Sequence, residues 1–63
     1  MIIKLTNATK QFEDKKFLLN VDSITSVFEG LQEDGTPGIF IFGDGDKTWQ
    51  VKESIEEIYQ MVS

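Results

Sequence analysis

The chain contains no cysteine, no histidine and no arginine among its 63 residues. Without cysteine it forms no disulfide, and without cysteine or histidine a metal site would depend on oxygen ligands alone. The nucleophiles that pair serine or cysteine with histidine are excluded for the same reason. Without arginine the chain also lacks the planar side chain that binds phosphate and guanine through paired hydrogen bonds.

Basic charge is scarce as well. Six lysines face eleven acidic residues, so the formal net charge is −5. An acidic surface repels the phosphate backbone, and we therefore expect no binding of nucleic acid. A nucleic-acid mimic that occupies a basic protein surface is the opposite interpretation. An acidic surface that keeps a small domain in solution is the more common one.

Long hydrophobic runs are absent. The apolar run Met1–Ile3 stops at Lys4, which is too short for a signal peptide, and no stretch approaches the roughly 20 apolar residues of a membrane span. We therefore expect no membrane partner and a cytoplasmic location, in a bacterial cell or a phage-infected host cell.

A length of 63 residues predicts a single domain over residues 1–63. A chain this short buries only about 60% of the surface that it exposes when unfolded, so its stability margin is thin. Domains of this size are commonly stabilised by disulfides, metals or self-association. With no cysteine or histidine, the sequence predicts a homo-oligomer.

Alternating apolar residues, bounded by turn-forming residues, are typical of short strands. The predicted strands are 2–6, 16–21, 24–30, 39–42 and 47–52. Five short strands with tight turns predict a mainly β (α+β) fold, namely a small five-stranded antiparallel, barrel-like sheet with one short C-terminal helix at about 54–62.

Three connections carry turn signals. Residues 20–23 predict a tight corner, because asparagine, aspartate and serine side chains bind neighbouring backbone groups. Residues 31–38 contain two glycines and the only proline, which predicts an exposed loop. Residues 43–46 predict a hairpin turn, since Asp-Gly favours the positive φ angles of type I′.

The C-terminal segment predicts the one helix. Ser54 and Glu57 have the spacing of a capping box, in which each side chain binds the other residue's backbone amide. The helical spacing of four apolar residues predicts a stripe that docks on the sheet. These are Ile55, Ile58, Tyr59 and Val62.

No residue pattern points to catalysis, to a cofactor or to a metal. The run Asp44–Asp46 resembles the start of a calcium loop but lacks the later ligands and the closing glutamate, so a hairpin turn is the preferred interpretation. Glu53, Glu56 and Glu57 cluster, but helix capping and the helix dipole explain the cluster. We therefore expect a protein that is not an enzyme, with no catalytic, cofactor-binding or metal-binding residues.

One strand has apolar residues at every position. Its residues Ile39, Phe40, Ile41 and Phe42 cannot all face one small core, so something must cover the outer side. The helix and a second subunit are equally suited to this role. We take these four residues, together with Trp49, as the candidate partner-binding residues.

Three segments resemble a known family. They are MIIKLT at 1–6, FLLNVDSI at 17–24 and VKESIEEI at 51–58. They are similar to the beginning, middle and end of the small flagellar and swarming-motility proteins called FlbD or SwrD. The resemblance implies a small cytoplasmic accessory factor without enzymatic activity. The longer segment 31–38 and Trp49 depart from that pattern, and a phage-encoded protein of the same shape fits the segments equally well.

Together these features predict a non-enzymatic accessory or regulatory protein that acts by binding another protein, with a phage or prophage as one candidate source of the gene. The alternative is a structural subunit that acts by assembling into a virion or a flagellar apparatus. The identity of the protein partner is not specified by the sequence.

Overall fold

Five strands and one helix follow each other along the chain, and the computed structural model describes all residues from Met1 to Ser63. The strands are β1 (Ile2–Thr6), β2 (Lys16–Asn20), β3 (Ile24–Leu31), β4 (Pro37–Gly43) and β5 (Lys47–Val51), and the helix is α1 (Ile55–Val62). Short 3-10 turns occupy Lys10–Phe12, Val21–Ser23 and Asp44–Asp46. The mainly β prediction with one C-terminal helix is therefore confirmed.

The strands form two antiparallel sheets and not one. β1 pairs with β2, and β3, β4 and β5 form a second sheet in that order. The expected single barrel-like sheet is not closed, because no ladder joins β2 to β3 across the corner Val21–Ser23. The two sheets meet at one isolated bridge between Asn7 and Val51, which two backbone hydrogen bonds flank: Ala8 N to Gln50 O and Lys52 N to Thr6 O.

The core lies between the two sheets and the helix. Alternation along the strands turns one side of each inward, because successive side chains of a strand point to opposite faces. Six apolar side chains are buried there: Ile3, Leu5, Leu19, Ile41, Val51 and Ile58. Only eight of the 63 residues are buried in all, so the interior is small and most strand positions remain at least partly accessible.

The helix begins as predicted but docks less than expected. Both hydrogen bonds of the capping box are present, from Glu57 N to Ser54 Oγ at 3.0 Å and from Ser54 N to Glu57 Oε1 at 3.2 Å. Ile58 is buried and Val62 packs against the core, whereas Ile55 and Tyr59 stay exposed. Half of the expected stripe therefore contacts the sheet. The helix is not long and apolar enough to cross a membrane.

Two hairpins differ from expectation in detail. The segment expected as an eight-residue loop is shorter, because β3 runs to Leu31 and β4 starts at Pro37. In the β4–β5 hairpin the positive φ angles fall on Gly45 and Asp46, one position later than the Asp44-Gly45 pair. Residues 43–46 connect a hairpin, as predicted, and the segment expected only as an exposed loop connects a second hairpin.

Candidate partner-binding surface

The central strand β4 separates the candidate residues into two groups. Ile41 is 0% exposed and belongs to the core, and Ile39 is half-buried against the same cluster. Their neighbours Phe40 and Phe42 point to the other side of the sheet, away from the helix and the core. Of the apolar run, only the two phenylalanines therefore face outward, and the fully buried Ile41 cannot contact a partner.

Trp49 also lies on the inner side. It is opposite Ile41 in the β4–β5 register and packs against the core. Its ring lies directly over the backbone of Gly43, so that a Cβ atom at Gly43 would overlap the ring. Trp49 therefore packs inside the hairpin, half-buried, on the side of the sheet opposite Phe40 and Phe42.

A third phenylalanine joins the outward pair. Phe28 on β3 lies opposite Phe40, with ring centroids 5.7 Å apart and nearly parallel rings. Phe28 also meets Phe42 edge to face, with centroids 4.9 Å apart. Both geometries are those that aromatic pairs prefer. Sequence reasoning missed Phe28 as a site residue, although the alternation of β3 had placed it on one side with Ser26.

These rings form a continuous exposed surface. Phe28 is 38% exposed and Phe42 is 43% exposed, while Phe40 is half-buried between them and Gln50. We call the outer side of the three-stranded sheet around Phe28, Phe40 and Phe42 the outer aromatic face. Its other strand residues are Ser26, Gly30, Gly38, Thr48 and Gln50.

The outer aromatic face carries no charge. None of its eight strand positions is acidic or basic, although 27% of the chain is charged. A hydrogen bond of 2.6 Å from Gln50 Nε2 to Gln32 Oε1 closes one end of it, and Gln32 in turn donates to Thr36 Oγ1 and Pro37 O. The strand positions of the face are thus apolar at the centre and polar but neutral around it, as in many protein interfaces, while the acidic turn Asp44–Asp46 borders the end at Phe42.

The acidic turn at Asp44–Asp46 is a hairpin connection. It borders an open depression of about 450 Å³, which Thr25, Phe42 and the turn residues line. No three acidic side chains in the chain converge in a way that could hold a metal ion. The residues offer neither the ligand number nor the convergence that a calcium loop needs.

The glutamates near the helix have separate structural roles. Glu53 accepts hydrogen bonds from Thr6 N and Thr6 Oγ1, both at 2.9 Å, and so joins the end of β1 to the start of the helical segment. Burial raises the pKa of Glu53, but the two bonds from Thr6 and the charge of Lys16 outweigh it and hold the pKa below its ordinary value. Glu57 completes the helix cap, and Glu56 accepts a hydrogen bond from Gln60 Nε2 at 3.2 Å.

The chain matches no protein-family model, no curated protein and no solved structure. The geometry of its own residues is therefore what bears on its function. The outer aromatic face is the feature of that geometry that the packing of the core does not explain.

Proposed function

We propose that the protein is a non-enzymatic accessory or regulatory factor that acts by binding protein through the outer aromatic face. The observation that carries the proposal is the cluster of Phe28, Phe40 and Phe42 on the outer side of the sheet, in which the exposed ring of Phe28 contacts both other rings. Exposed aromatic patches with polar rims are typical of protein-binding surfaces, and aromatic side chains supply much of their binding energy.

The chemistry of the face favours protein over the other ligand classes. Aromatic side chains also stack on the bases of single-stranded nucleic acid, but such surfaces include basic residues that follow the backbone. The outer aromatic face has none, and the chain carries a net charge of −5. A small-molecule site would be a concave apolar pocket, whereas the depressions of this surface have mostly polar linings.

A second copy of the chain is one protein that the face can accept. Two copies of net charge −5 repel each other least where neither presents charge, and the outer aromatic face is such a place. Two-fold symmetry would set the same rings against each other. A homo-oligomer therefore forms part of the proposal.

The alternative is a structural subunit that assembles through strand edges. Strand β3 has eight residues and pairs with β4 on one side only, and such an edge can pair with another chain. In that case purified virions or flagellar structures contain the protein at stoichiometric levels. The accessory role predicts its absence from such particles.

The proposed role and cytoplasmic location agree with what the resemblance to the FlbD and SwrD proteins implies. The neighbouring genes distinguish the settings, since flagellar, replication and capsid genes each indicate a different one. A phage-encoded accessory protein of this shape remains part of the proposal.

Affinity capture from the native host tests the binding role. The wild-type protein should retain a specific protein at physiological salt, and Phe42→Ser should lose it, because the substitution removes the most exposed ring of the cluster. Leu31→Ser is the matched control, since Leu31 is also an exposed apolar residue but points to the other side of the sheet. Equal retention by wild type and Phe42→Ser would contradict the proposed face.

A further inference from the structure

The charge of the chain is unevenly distributed between its two sheets. Residues 1–20, which form the β1–β2 hairpin, contain four lysines and two acidic residues, for a formal charge of +2. Residues 21–63 contain two lysines and nine acidic residues, for a formal charge of −7. The hairpin is thus a basic element on an acidic protein, which the overall charge of −5 conceals.

The acidic residues of the hairpin are already paired. Lys52, which follows β5, lies 2.6 Å from Asp14 Oδ1 and 3.3 Å from Glu13 Oε2. Hydrogen bonds to these two carboxylates raise the pKa of Lys52. These are the two salt bridges of the chain, so no lysine of the hairpin has a carboxylate partner. Lys16 Nζ donates to Thr6 Oγ1 beside Glu53, whereas the side chains of Lys4, Lys10 and Lys15 have no hydrogen bond or salt bridge. The charge of these three lysines is therefore available to another molecule.

The outer side of the hairpin also exposes large apolar side chains. Ile2 is 58% exposed and Leu18 is 67% exposed, and the register places them diagonally across the two strands. Lys4 lies directly opposite Leu18, and Lys16 precedes Leu18 by two positions on the same side of β2. Apolar and basic groups alternate across this surface, so it fits a partner that presents apolar and acidic groups in the same order.

The backbone of β2 is open along this surface. Asn7 N donates to Lys15 O at one end of the β1–β2 ladder, and Val21 N donates to Met1 O at the other. In an antiparallel ladder, residue pairs with and without mutual hydrogen bonds alternate, so these two bonds identify the odd-numbered residues of β2 as the hydrogen-bonded ones. Phe17 and Leu19 consequently direct their backbone groups toward β1, and Lys16, Leu18 and Asn20 direct theirs away from it. No other strand pairs with that side of β2, and all three residues are exposed.

We propose that the free edge of β2 binds an extended protein segment in which acidic and apolar residues alternate on one side. The segment adds a third strand to the hairpin through the backbone groups of Lys16, Leu18 and Asn20. Its apolar side chain packs beside Leu18, and its carboxylates lie on the side of the hairpin that carries Lys4. Main-chain pairing supplies affinity in this mode of recognition, and the side chains supply selectivity. The site is separate from the outer aromatic face.

Binding of synthetic peptides tests the proposal on the unmodified protein. The acidic peptide is a capped, fluorescein-labelled peptide of ten residues. Every second residue is valine, and the residues between the valines are glutamate and leucine in turn. A second peptide replaces each glutamate by lysine, and a third methylates alternate backbone nitrogens of the acidic peptide. Fluorescence anisotropy should show binding of the acidic peptide that weakens with added salt, because the attraction between exposed charges is screened. The lysine and methylated peptides should bind about tenfold more weakly or not at all.

Amide chemical shifts locate the site. The acidic peptide should shift the amides of residues 15–20 and leave those of Phe28, Phe40 and Phe42 unchanged. Leu18→Lys should weaken binding about tenfold. Phe42→Ser, which alters only the outer aromatic face, should bind the peptide as the wild type does.

Three results would overturn the proposal. One is equal binding of the acidic and lysine peptides, which would remove the charge selectivity. Another is undiminished binding of the methylated peptide, which would show that no backbone pairing occurs. The last is self-association of the protein that Leu18→Lys abolishes, since a second copy would then occupy the edge.

Discussion

Among single residues, Glu53 does most to join distant parts of the chain. Its carboxylate binds the backbone and hydroxyl of Thr6, 47 positions earlier, and Lys16 Nζ donates to the same hydroxyl at 2.7 Å. Thr6 is among the few buried residues with a polar side chain, so its groups depend on these partners. The contact holds β1 beside the end of β5, where the two sheets meet.

Glu53→Gln should lower stability most at neutral pH. The pKa of Glu53 is held below its ordinary value of 4.5, so its ionised form is favoured in the folded state. Its contribution to stability is therefore fully present above pH 4.5 and is lost as the pH falls through the lower folded-state value. Thermal melts from pH 7 to pH 3 should show the gap between wild type and Glu53→Gln closing in acid.

Glu33→Gln is the matched control for this experiment. Glu33 is exposed and has no hydrogen bond or salt bridge, so the substitution removes the same charge without a contact. Its melting temperature should follow that of the wild type across the pH range. A gap for Glu53→Gln that stays constant down to pH 3 would show that the ionised carboxylate is not what stabilises the contact.

Ser54→Ala should destabilise the protein by about 0.5–2 kcal/mol, the usual effect of removing a helix N-cap. The hydroxyl of Ser54 accepts the amide of Glu57, and an alanine leaves that amide without a protein partner. Chemical denaturation measures the change. Ser54→Thr should keep most of the stability, because its hydroxyl can cap in the same way, and an unchanged midpoint for Ser54→Ala would contradict the cap.

At the scale of elements, the β4–β5 hairpin combines a local turn with a packing contact. In the β4–β5 hairpin the positive φ angles of Gly45 and Asp46 reverse the chain. The packing of Trp49 over Gly43 then holds the two strands in register. The turn follows from local chemistry, whereas the contact of Trp49 depends on the whole hairpin being formed.

Gly43→Ala should destabilise the protein by about 1–3 kcal/mol, as overpacking in a filled interior does. The new methyl group would overlap the Trp49 ring and lie 3.0 Å from the backbone oxygen of Ser23, which leaves it no room on either side. Chemical denaturation and the fluorescence of the single tryptophan report the loss of stability and the displaced ring.

Gly30→Ala is the control for the Gly43 substitution. A methyl group at Gly30 would meet the rings of Phe28 and Phe40 at 3.4 Å, an ordinary contact distance. The stability of Gly30→Ala should therefore stay close to that of the wild type. An equal loss in both variants would indicate that strand glycines matter here for a reason other than the space beside Trp49.

At the scale of the whole molecule, a small interior is combined with a large amount of exposed apolar surface. The core has six buried apolar side chains, while ten large hydrophobic residues stay exposed. Exposed apolar residues scattered singly are ordinary, but here several are grouped on the outer aromatic face and on the hairpin. The molecule therefore has surplus apolar surface on both sheets.

The wild-type protein should associate as concentration rises. Phe28 and Phe42 are 38% and 43% exposed in the monomer, so burying the rest of the two rings at an interface contributes roughly 1–2.5 kcal/mol. Salt screens the repulsion between two acidic copies and so weakens its opposition to this contact. Light scattering from micromolar to millimolar concentration measures the mass. Phe42→Glu should give folded monomers, because it places a charge at the centre of the contact. A mass of one chain for the wild type throughout would contradict self-association.

Leu18→Glu is the matched control for Phe42→Glu. It adds the same charge at an apolar position that is even more exposed, but on the other sheet. The oligomer should persist in this variant if the outer aromatic face is the contact. Monomers from Leu18→Glu and not from Phe42→Glu would assign the contact to the hairpin.

Local signals in the sequence were enough to determine the elements. The alternation of Ile3 and Leu5, the spacing of Ser54 and Glu57 and the glycine-rich turns depend on neighbouring residues alone, and they predicted five strands, the corner at 20–23 and the capped helix. Alternation also separated Phe40 and Phe42 from Ile39 and Ile41, although it did not tell which pair faces the core.

The tertiary structure alone decided how these elements meet, because such contacts join residues far apart in sequence. The register of β3 and β4 brought Phe28 to Phe40. The register of β4 and β5 placed Trp49 on the inner side, with its ring against Gly43. The bond from Glu53 to Thr6 and the pairing of Lys52 with Glu13 and Asp14 likewise have no local signature. The sheet divided in two because the corner after β2 turns the chain without a ladder to β3, and the ladder partners of a strand are not encoded in its own alternation.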